Sequence, residues 1–234
     1  MDYKKLISIM GEKNYWRYFE GQPKLQSRGQ LAQDVHALKL LLLGAKDKGI
    51  FVDIGAHDGI VFSNTWLFEQ LGWDGVCIEP NPDVYNRLKQ NRNCITVNKA
   101  VSDKSGRMAF RKINGYSAML SGLIDNIQEA QEKQLEQELA EHGGCIEEIT
   151  VEVDTLENIL SEYYDKIPQI DFCSIDVEGA EWNILKTIDF EKLEIKIMVV
   201  EKNYDERVVH DYMRSKGYYV FSTIQDDYFI KKNS

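Results

Sequence analysis

Two short stretches of this chain place acids and glycines at spacings that suit nucleoside binding and proton handling. The first is Phe51-Val52-Asp53-Ile54-Gly55-Ala56-His57-Asp58-Gly59. Gly49-Ile50-Phe51-Val52 is a short apolar run, Asp53 closes it, and a glycine-bounded turn follows. A helix is expected to start near Ser63-Asn64, whose side chains can cap its free amides. Strand, glycine turn and helix build the ligand crevice at the carboxyl edge of an α/β sheet. A dinucleotide fingerprint reads G-x-G-x-x-G, its second glycine letting the backbone approach a pyrophosphate. Here Gly55 fits the first glycine, but His57 and Ile60 stand at the second and third. A pyrophosphate would meet side chains, so the turn better suits a nucleoside ligand without phosphates.

Gly75-Val76-Cys77-Ile78-Glu79 reads as a second strand ending in a carboxylate. One carboxylate has acceptor oxygens enough for both hydroxyls of a ribose. A glycine turn with a ribose-binding Glu serves NAD and S-adenosylmethionine alike. The missing glycines favour S-adenosylmethionine and leave an NAD-dependent dehydrogenase as the alternative. The second stretch is Asp176-Val177-Glu178-Gly179-Ala180-Glu181. Asp176 leaves a strand at the same sheet edge as Asp53 and Glu79, and Gly179 allows a tight turn. Glu181 falls on the first turn of a helix, where the dipole favours an acid without any function. That account does not cover Asp176 and Glu178, which makes them site candidates.

The elements that must hold these residues alternate. Leu31, Val35, Leu38 and Leu42 give a helix over 30–43, with Gln30, Gln33 and Asp34 on its first turn. After a helix at 63–71 and the strand to Glu79, Asn81 caps a helix over 82–91 with Pro82 at its first position. Residues 95–101 read as the third strand, closing on Ser102-Asp103, where an acid suits either an adenine amine or a simple turn. Residues 107–112 suggest a short strand. Residues 113–122 are small and polar, with Tyr116, Ser117 and Ser121. Residues 123–141 carry Leu123, Ile127, Leu135 and Leu139 on a narrow apolar stripe that fits a lid or a subunit contact. Val151 and Val153 end a strand, and Asp154-Thr155-Leu156-Glu157 has the form of a capping box for a helix at 155–164. Strands at 170–176 and 195–201 are each followed by a helix, over 180–188 and over 205–216. Tyr218 to Ile224 and Tyr228 to Lys231 form a closing hairpin. The pattern is α/β: a largely parallel sheet, helices on both faces and an antiparallel pair at the end.

Composition bounds the classes. At 234 residues, 43% hydrophobic and 28% charged, the chain reads as one globular domain. A net charge of −10 disfavours nucleic acid, which needs basic surface. The four cysteines (Cys77, Cys94, Cys145, Cys173) show no paired spacing, and Cys77 and Cys173 fall in buried strands. No apolar run approaches a membrane span, and Met1-Asp2-Tyr3-Lys4-Lys5 lacks a signal-peptide core. These point to a reduced, cytoplasmic protein. The four histidines (His36, His57, His142, His210) are scattered without zinc spacing.

Taken together, residues 27–232 resemble the FkbM family of S-adenosylmethionine-dependent methyltransferases. The matching pieces are Phe51 to Ala56, Ser63-Asn64-Thr65, Gly72-Trp73 with Gly75, Ile78-Glu79-Pro80-Asn81-Pro82, and Ile175 to Glu181. Gln30, Gln33 and Asp34 resemble a looser version of the family's N-terminal Ser-Gln…Glu-Asp signature. The resemblance implies a Rossmann-like class I methyltransferase with a seven-stranded sheet and a reversed last strand. It also implies methylation of a hydroxyl, often on a sugar or a natural product. Asp53, Gly55 and His57 would line the donor's methionine end, with Ser63, Asn64 and Thr65 near its carboxylate, and Ala56 and Gly59 of the same turn would also bind the cofactor. Glu79 and Pro80 would hold the ribose, Ser102 and Asp103 would lie by the adenine, and Asp176 would border the donor. His57 stands where the family often has Asn.

The expectation is therefore an O-methyltransferase acting on a sugar or glycan, with Asp176, Glu178 and Glu201 as candidate bases and His210 behind them. The residues 1–48 are expected as a helical N-terminal extension, and 113–148, which matches the family least, as the lid or acceptor-binding insertion. The alternatives are a Mg²⁺-assisted enzyme acting on a small natural product, since clustered carboxylates suit hard cations, and a non-catalytic donor-binding module. No metal ligands are assigned, and a homodimer fits the apolar stripe.

Overall fold

The computed structural model describes residues 27–42, 48–165, 169–222 and 225–232. Most of the expected N-terminal extension, residues 1–26 and 43–47, lies outside the described residues. Helix α1 (Gln33–Leu42) leads to strand β1 (Ile50–Ile54), helix α2 (Trp66–Gln70) and strand β2 (Asp74–Ile78). Helix α3 (Pro82–Asn91) and strand β3 (Ile95–Val97) follow. The later parallel strands are β8 (Ile170–Ile175) and β9 (Ile195–Glu201), with α6 (Glu181–Thr187) between them and α7 (Glu206–Ser215) after. The hairpin β10 (Tyr218–Ser222) and β11 (Asp226–Lys231) closes the chain.

These seven strands form one sheet in the order β10-β11-β9-β8-β1-β2-β3. Pairing is parallel from β3 across to β9, and β11 enters antiparallel between β9 and β10. This is the mostly parallel sheet with a reversed last strand that the resemblance implies. Every residue of β8 is buried, as a central strand covered on both faces requires. One apolar cluster, with Val52, Ile54, Ile175, Ile184 and Val209, fills one face. A second, with Leu38, Phe51, Phe68, Leu88 and Phe172, fills the other.

The expected third strand over 95–101 is divided. The Asn98 side-chain amide donates to the carbonyls of Glu79 at 2.8 Å and Pro80 at 3.0 Å, which turns the chain away after Val97. Ala100–Val101 then becomes β4 of a second sheet, with β5 (Gly106–Asn114), β6 (Gly122–Leu123) and β7 (Cys145–Asp154) in the order β4-β7-β5-β6. Strand β5 pairs antiparallel with β7 from Gly106↔Val153 to Asn114↔Cys145. The expected short strand at 107–112 is thus a long one, and residues 113–148 grow out of a β-ladder. Between its strands sit two short 3-10 helices, Tyr116–Leu120 and Ile124–Asn126, and helix α4 (Glu129–His142). Leu123 belongs to β6 and not to the helical stripe, whose Leu135 is buried at 1% exposure.

Caps fall close to expectation. Asn81 accepts from the Asp83 amide and Asp205 from those of Arg207 and Val208. For α5 (Leu156–Ser161) the cap is Thr155, which accepts from Asn158, while Glu157 bonds the distant Asp189 amide instead of closing a capping box. No helix among the described residues is long and apolar enough to cross a membrane.

Candidate active site

The site lies at the carboxyl edge of the large sheet, under the second sheet. The cleft there is lined from the first by Gly55, His57, Glu79, Pro80, Asn81, Asp176 and Glu178, and from the second by Val101, Phe110, Met119, Ser121 and Leu123. Two of the motifs read from sequence therefore share one cavity.

The first turn is built by close approach. Gly55 has φ +84°, and a Cβ there would fall 1.7 Å from the carbonyl oxygen of Asp176, so only glycine lets the two turns touch. The amides of Gly55 and Ala56 both donate to the Ile78 carbonyl at 3.0 Å. His57 takes a left-handed φ of 48°, uncommon outside glycine and asparagine. Its amide donates to Glu79 Oε2 at 3.0 Å; both ring nitrogens are shut off from solvent without a hydrogen bond among the described residues, Nδ1 lying 3.8 Å from Asp58 Oδ1. Glu79 Oε1 accepts from the Asn81 amide at 2.8 Å. Burial pushes the Glu79 carboxyl up to about 7 despite these bonds.

Several predicted donor residues stand behind this wall and not on it. Asp53 is buried and accepts from Thr65 Oγ1 at 2.5 Å, with burial raising its carboxyl. Ala56 packs in the core, and Gly59 faces Leu88 and Arg92. Ser63 Oγ accepts from the Trp66 amide at 3.0 Å, so it serves the first turn as expected, but α2 starts only at Trp66, with Thr65 at its N-cap, and not at Ser63-Asn64. Asn64 donates to Ser174 Oγ at 3.1 Å. Arg92, 4% exposed, ties the group together: Nε meets Glu69 at 2.6 Å, and the two Nη atoms reach Gly59 O, Ser63 Oγ and Thr65 Oγ1 at 3.2–3.3 Å. Sequence reasoning passed over Arg92, which lies at the end of a helix with nothing local to mark it.

Ser102 and Asp103 line a separate depression with Met108, Asp125, Asn126 and Asn183. The break at Asn98 carries them there, and Lys99, Ala100 and Val101 take the cleft wall in their place.

At the other end stands the acid group. Asp176, Glu178 and Glu201 each bring a carboxylate oxygen within 4.8 Å of the others. Glu178, at φ 57°, accepts from Gln131 Nε2 of α4 at 3.0 Å. Glu201 accepts from Asn203 Nδ2 at 2.5 Å. Burial, then neighbouring acids, pushes Glu178 and Glu201 up to about 8 and raises Asp176 as well. Glu181 is fully buried and accepts from the amides of Val177 and Gly179 at 3.1–3.2 Å, so it holds the turn in shape. Asp226, read from sequence only as a hairpin turn, pairs in register with Glu201 and is bonded by Gln33 Nε2 at 2.9 Å. Gln33 thus supports the acid group from behind. His210 is not part of it: its ring meets Asp227 at 2.6 Å, beside Tyr204.

Tyr116 is 68% exposed with its ring 4.1 Å from that of His142. Ser117 is buried, and Ser121 Oγ is engaged by the Ile113 amide and the Ala118 carbonyl. Of the three residues Tyr116, Ser117 and Ser121, Tyr116 offers an open face, while Ser121 lines the cleft with its hydroxyl already engaged.

Residues 53–220 match the methyltransferase FkbM domain family. A curated relative, the methyltransferase sdnD of Sordaria araneosa, is 27% identical over 172 residues, covering 66% of each chain. This chain therefore spans just under two thirds of that relative's length. Similar solved structures include precorrin-6y C5,15-methyltransferase from Geobacter metallireducens, at 15% identity, covering 91% of this chain and 94% of that one with TM-score 0.43. Another is TrmK of M. capricolum in complex with S-adenosyl-homocysteine, at 11% identity, covering 85% and 66% with TM-score 0.40.

Proposed function

The chain belongs to the FkbM methyltransferase family, and from that premise we propose that it transfers the methyl group of S-adenosylmethionine to a hydroxyl of a carbohydrate acceptor. The observation that carries the reading is the single cleft with Gly55 and Glu79 on its wall together with Asp176 and Glu178. The walls suit such a donor. Gly55 lets the Asp176 turn close against the first turn at the cleft wall, and Glu79 keeps lone pairs beyond its two backbone bonds for ribose hydroxyls. Val84, Val101, Phe110 and Leu123 supply apolar surface for a base.

The donor supplies a methyl already activated on a positively charged sulfur. The chain's part is to align an acceptor oxygen and take its proton. Asp176, Glu178 and Glu201 hold their protons to unusually high pH, which places a base near the working range, where proton transfer is most effective. A base typically contributes 10²–10⁴-fold. The exposed Tyr116 ring and the neighbouring Asn81, Asn114 and Met119 supply an aromatic face and amides of the kind that hold a sugar.

A second reading rests on the same three carboxylates. Their spacing suits a divalent cation with oxygen ligands, which would polarise the acceptor hydroxyl. The test is one experiment with two arms: labelled donor and a glycan acceptor, followed by mass spectrometry, with and without chelator. Transfer in both arms supports the base. Loss with chelator and return with Mg²⁺ supports the cation, and labelling of no carbohydrate refutes the acceptor class.

A further inference from the structure

Beneath the glycine turn lies a pair of thiols that the chemistry above does not use. Cys77 of β2 is wholly buried, and Cys94, just before β3, is part-exposed. Their Sγ atoms lie 3.5 Å apart although 17 residues separate them. Arg92, two residues before Cys94, is close enough to both cysteines to interact with them electrostatically, and it is the same group that holds Gly59, Ser63 and Thr65 behind the donor wall. The Cys94 thiol donates to Cys77 Sγ, and Glu69, which lies beside Cys94, accepts from Arg92 Nε at 2.6 Å.

We propose that Cys77 and Cys94 are a peroxide-sensitive modification site, in which a disulfide between them disturbs Arg92 and weakens donor binding. The order of events follows from exposure. Cys94 is the thiol that solvent reaches, and burial holds Cys77 in the protonated form. The Cys94 thiolate attacks hydrogen peroxide, giving the sulfenic acid and hydroxide. The Cys77 sulfur then displaces the sulfenic hydroxyl, its own proton leaving with that group as water. Two electrons pass from the two thiols to one peroxide. Bond formation brings the sulfurs roughly 1.5 Å closer. Cys77 is fixed within the central sheet, so the movement falls on residues 92–94. That draws Arg92 from Thr65 and Ser63. Cys145 is exposed and far along the chain, which makes it an internal control for general oxidation.

Peroxide-treated protein, alkylated and digested with trypsin without reductant, tests the bond. Cleavage after Lys48, Arg87, Arg92 and Lys99 puts Cys77 in the peptide 49–87 and Cys94 in 93–99. The expected result is a linked pair two hydrogens lighter than the sum, reversed by dithiothreitol and absent in Cys94→Ser. Peptides that stay separate at a peroxide dose that oxidises Cys145 would overturn the proposal. Calorimetry with S-adenosylhomocysteine tests the consequence, which rests on the donor reading above. The oxidised protein should bind about tenfold more weakly than the reduced, a loss of order one hydrogen-bonded contact, and Cys94→Ser should show no peroxide effect. Equal affinity in linked and reduced protein overturns the coupling. Reduced protein that binds no S-adenosylhomocysteine refutes the donor reading, while the peptide result stands independently.

Discussion

Glu79, Glu178 and Glu201 illustrate what a cleft demands of single residues. All three titrate high because burial removes water faster than the available hydrogen bonds replace it. A carboxyl whose folded pKa exceeds its unfolded value stabilises the fold below the unfolded value, near 4.5, and loses that contribution as pH rises through 7 to 8. The ligand-free protein should therefore melt at a higher temperature at pH 5.5 than at pH 8.5, and Glu178→Gln should narrow the gap. Each 1 kcal/mol recovered at pH 8.5 is worth about 2–4 °C in a chain of this size. Scanning calorimetry of both proteins at both pH values checks this, and a Gln variant less stable than wild type at pH 8.5 would sink it. Donor binding separates Glu79 from the other two. Glu79→Ala should weaken S-adenosylhomocysteine about 10–100-fold, because buried hydroxyls would lose their acceptor. Asp176→Asn should instead lower kcat with donor affinity nearly kept. The residues on this list were legible because strand ends and glycine turns announce them. The contact between Gln33 and Asp226 was not, since it joins positions 193 apart and leaves no local trace.

Among the elements, those that a local rule decides form where the sequence marks them, and those that a distant partner decides do not. Asn81-Pro82 and Asp205 start their helices as their types require. The run 95–101 is β-branched and apolar enough to be one strand. A single side chain, Asn98, reaching the Glu79 and Pro80 carbonyls, decides otherwise. Arg92 is the stronger case. Its planar fork meets Glu69, Gly59, Ser63 and Thr65 at once, a set that a point charge on a flexible stem cannot reproduce. Arg92→Lys should cost up to about 3–5 kcal/mol in urea unfolding, the scale of a broken buried pair. It should also weaken S-adenosylhomocysteine, through the turn behind Gly59 and not through any contact of its own. A change below about 0.5 kcal/mol would mean the network is slack.

The whole molecule is a cleft made by two sheets, and this revises the expected role of residues 113–148. They were legible as the segment that matches the family least, which is why acceptor choice was expected there. Their attachment was not legible, because a nine-residue ladder between β5 and β7 spans a helix that periodicity alone makes look detachable. Ala118, Met119, Ser121, Gly122 and Leu123 wall the same cavity as Gly55 and Glu79, and Gln131 holds Glu178. Replacing residues 117–142 with a Gly-Ser linker should therefore impair donor binding along with transfer, since it unroofs the donor and frees an acid. Tyr116→Ala makes the finer cut. Tyr116 lines the adjoining groove and stands outside the main cleft's wall. Its loss should leave S-adenosylhomocysteine affinity within about twofold and raise the acceptor KM about tenfold, the worth of an aromatic face at a partly exposed site. Measured side by side, the two variants separate roof from acceptor seat. If the linker variant keeps full donor affinity, the second sheet is not the roof. If Tyr116→Ala keeps the acceptor KM, the sugar is held nearer Glu201 and Asn203.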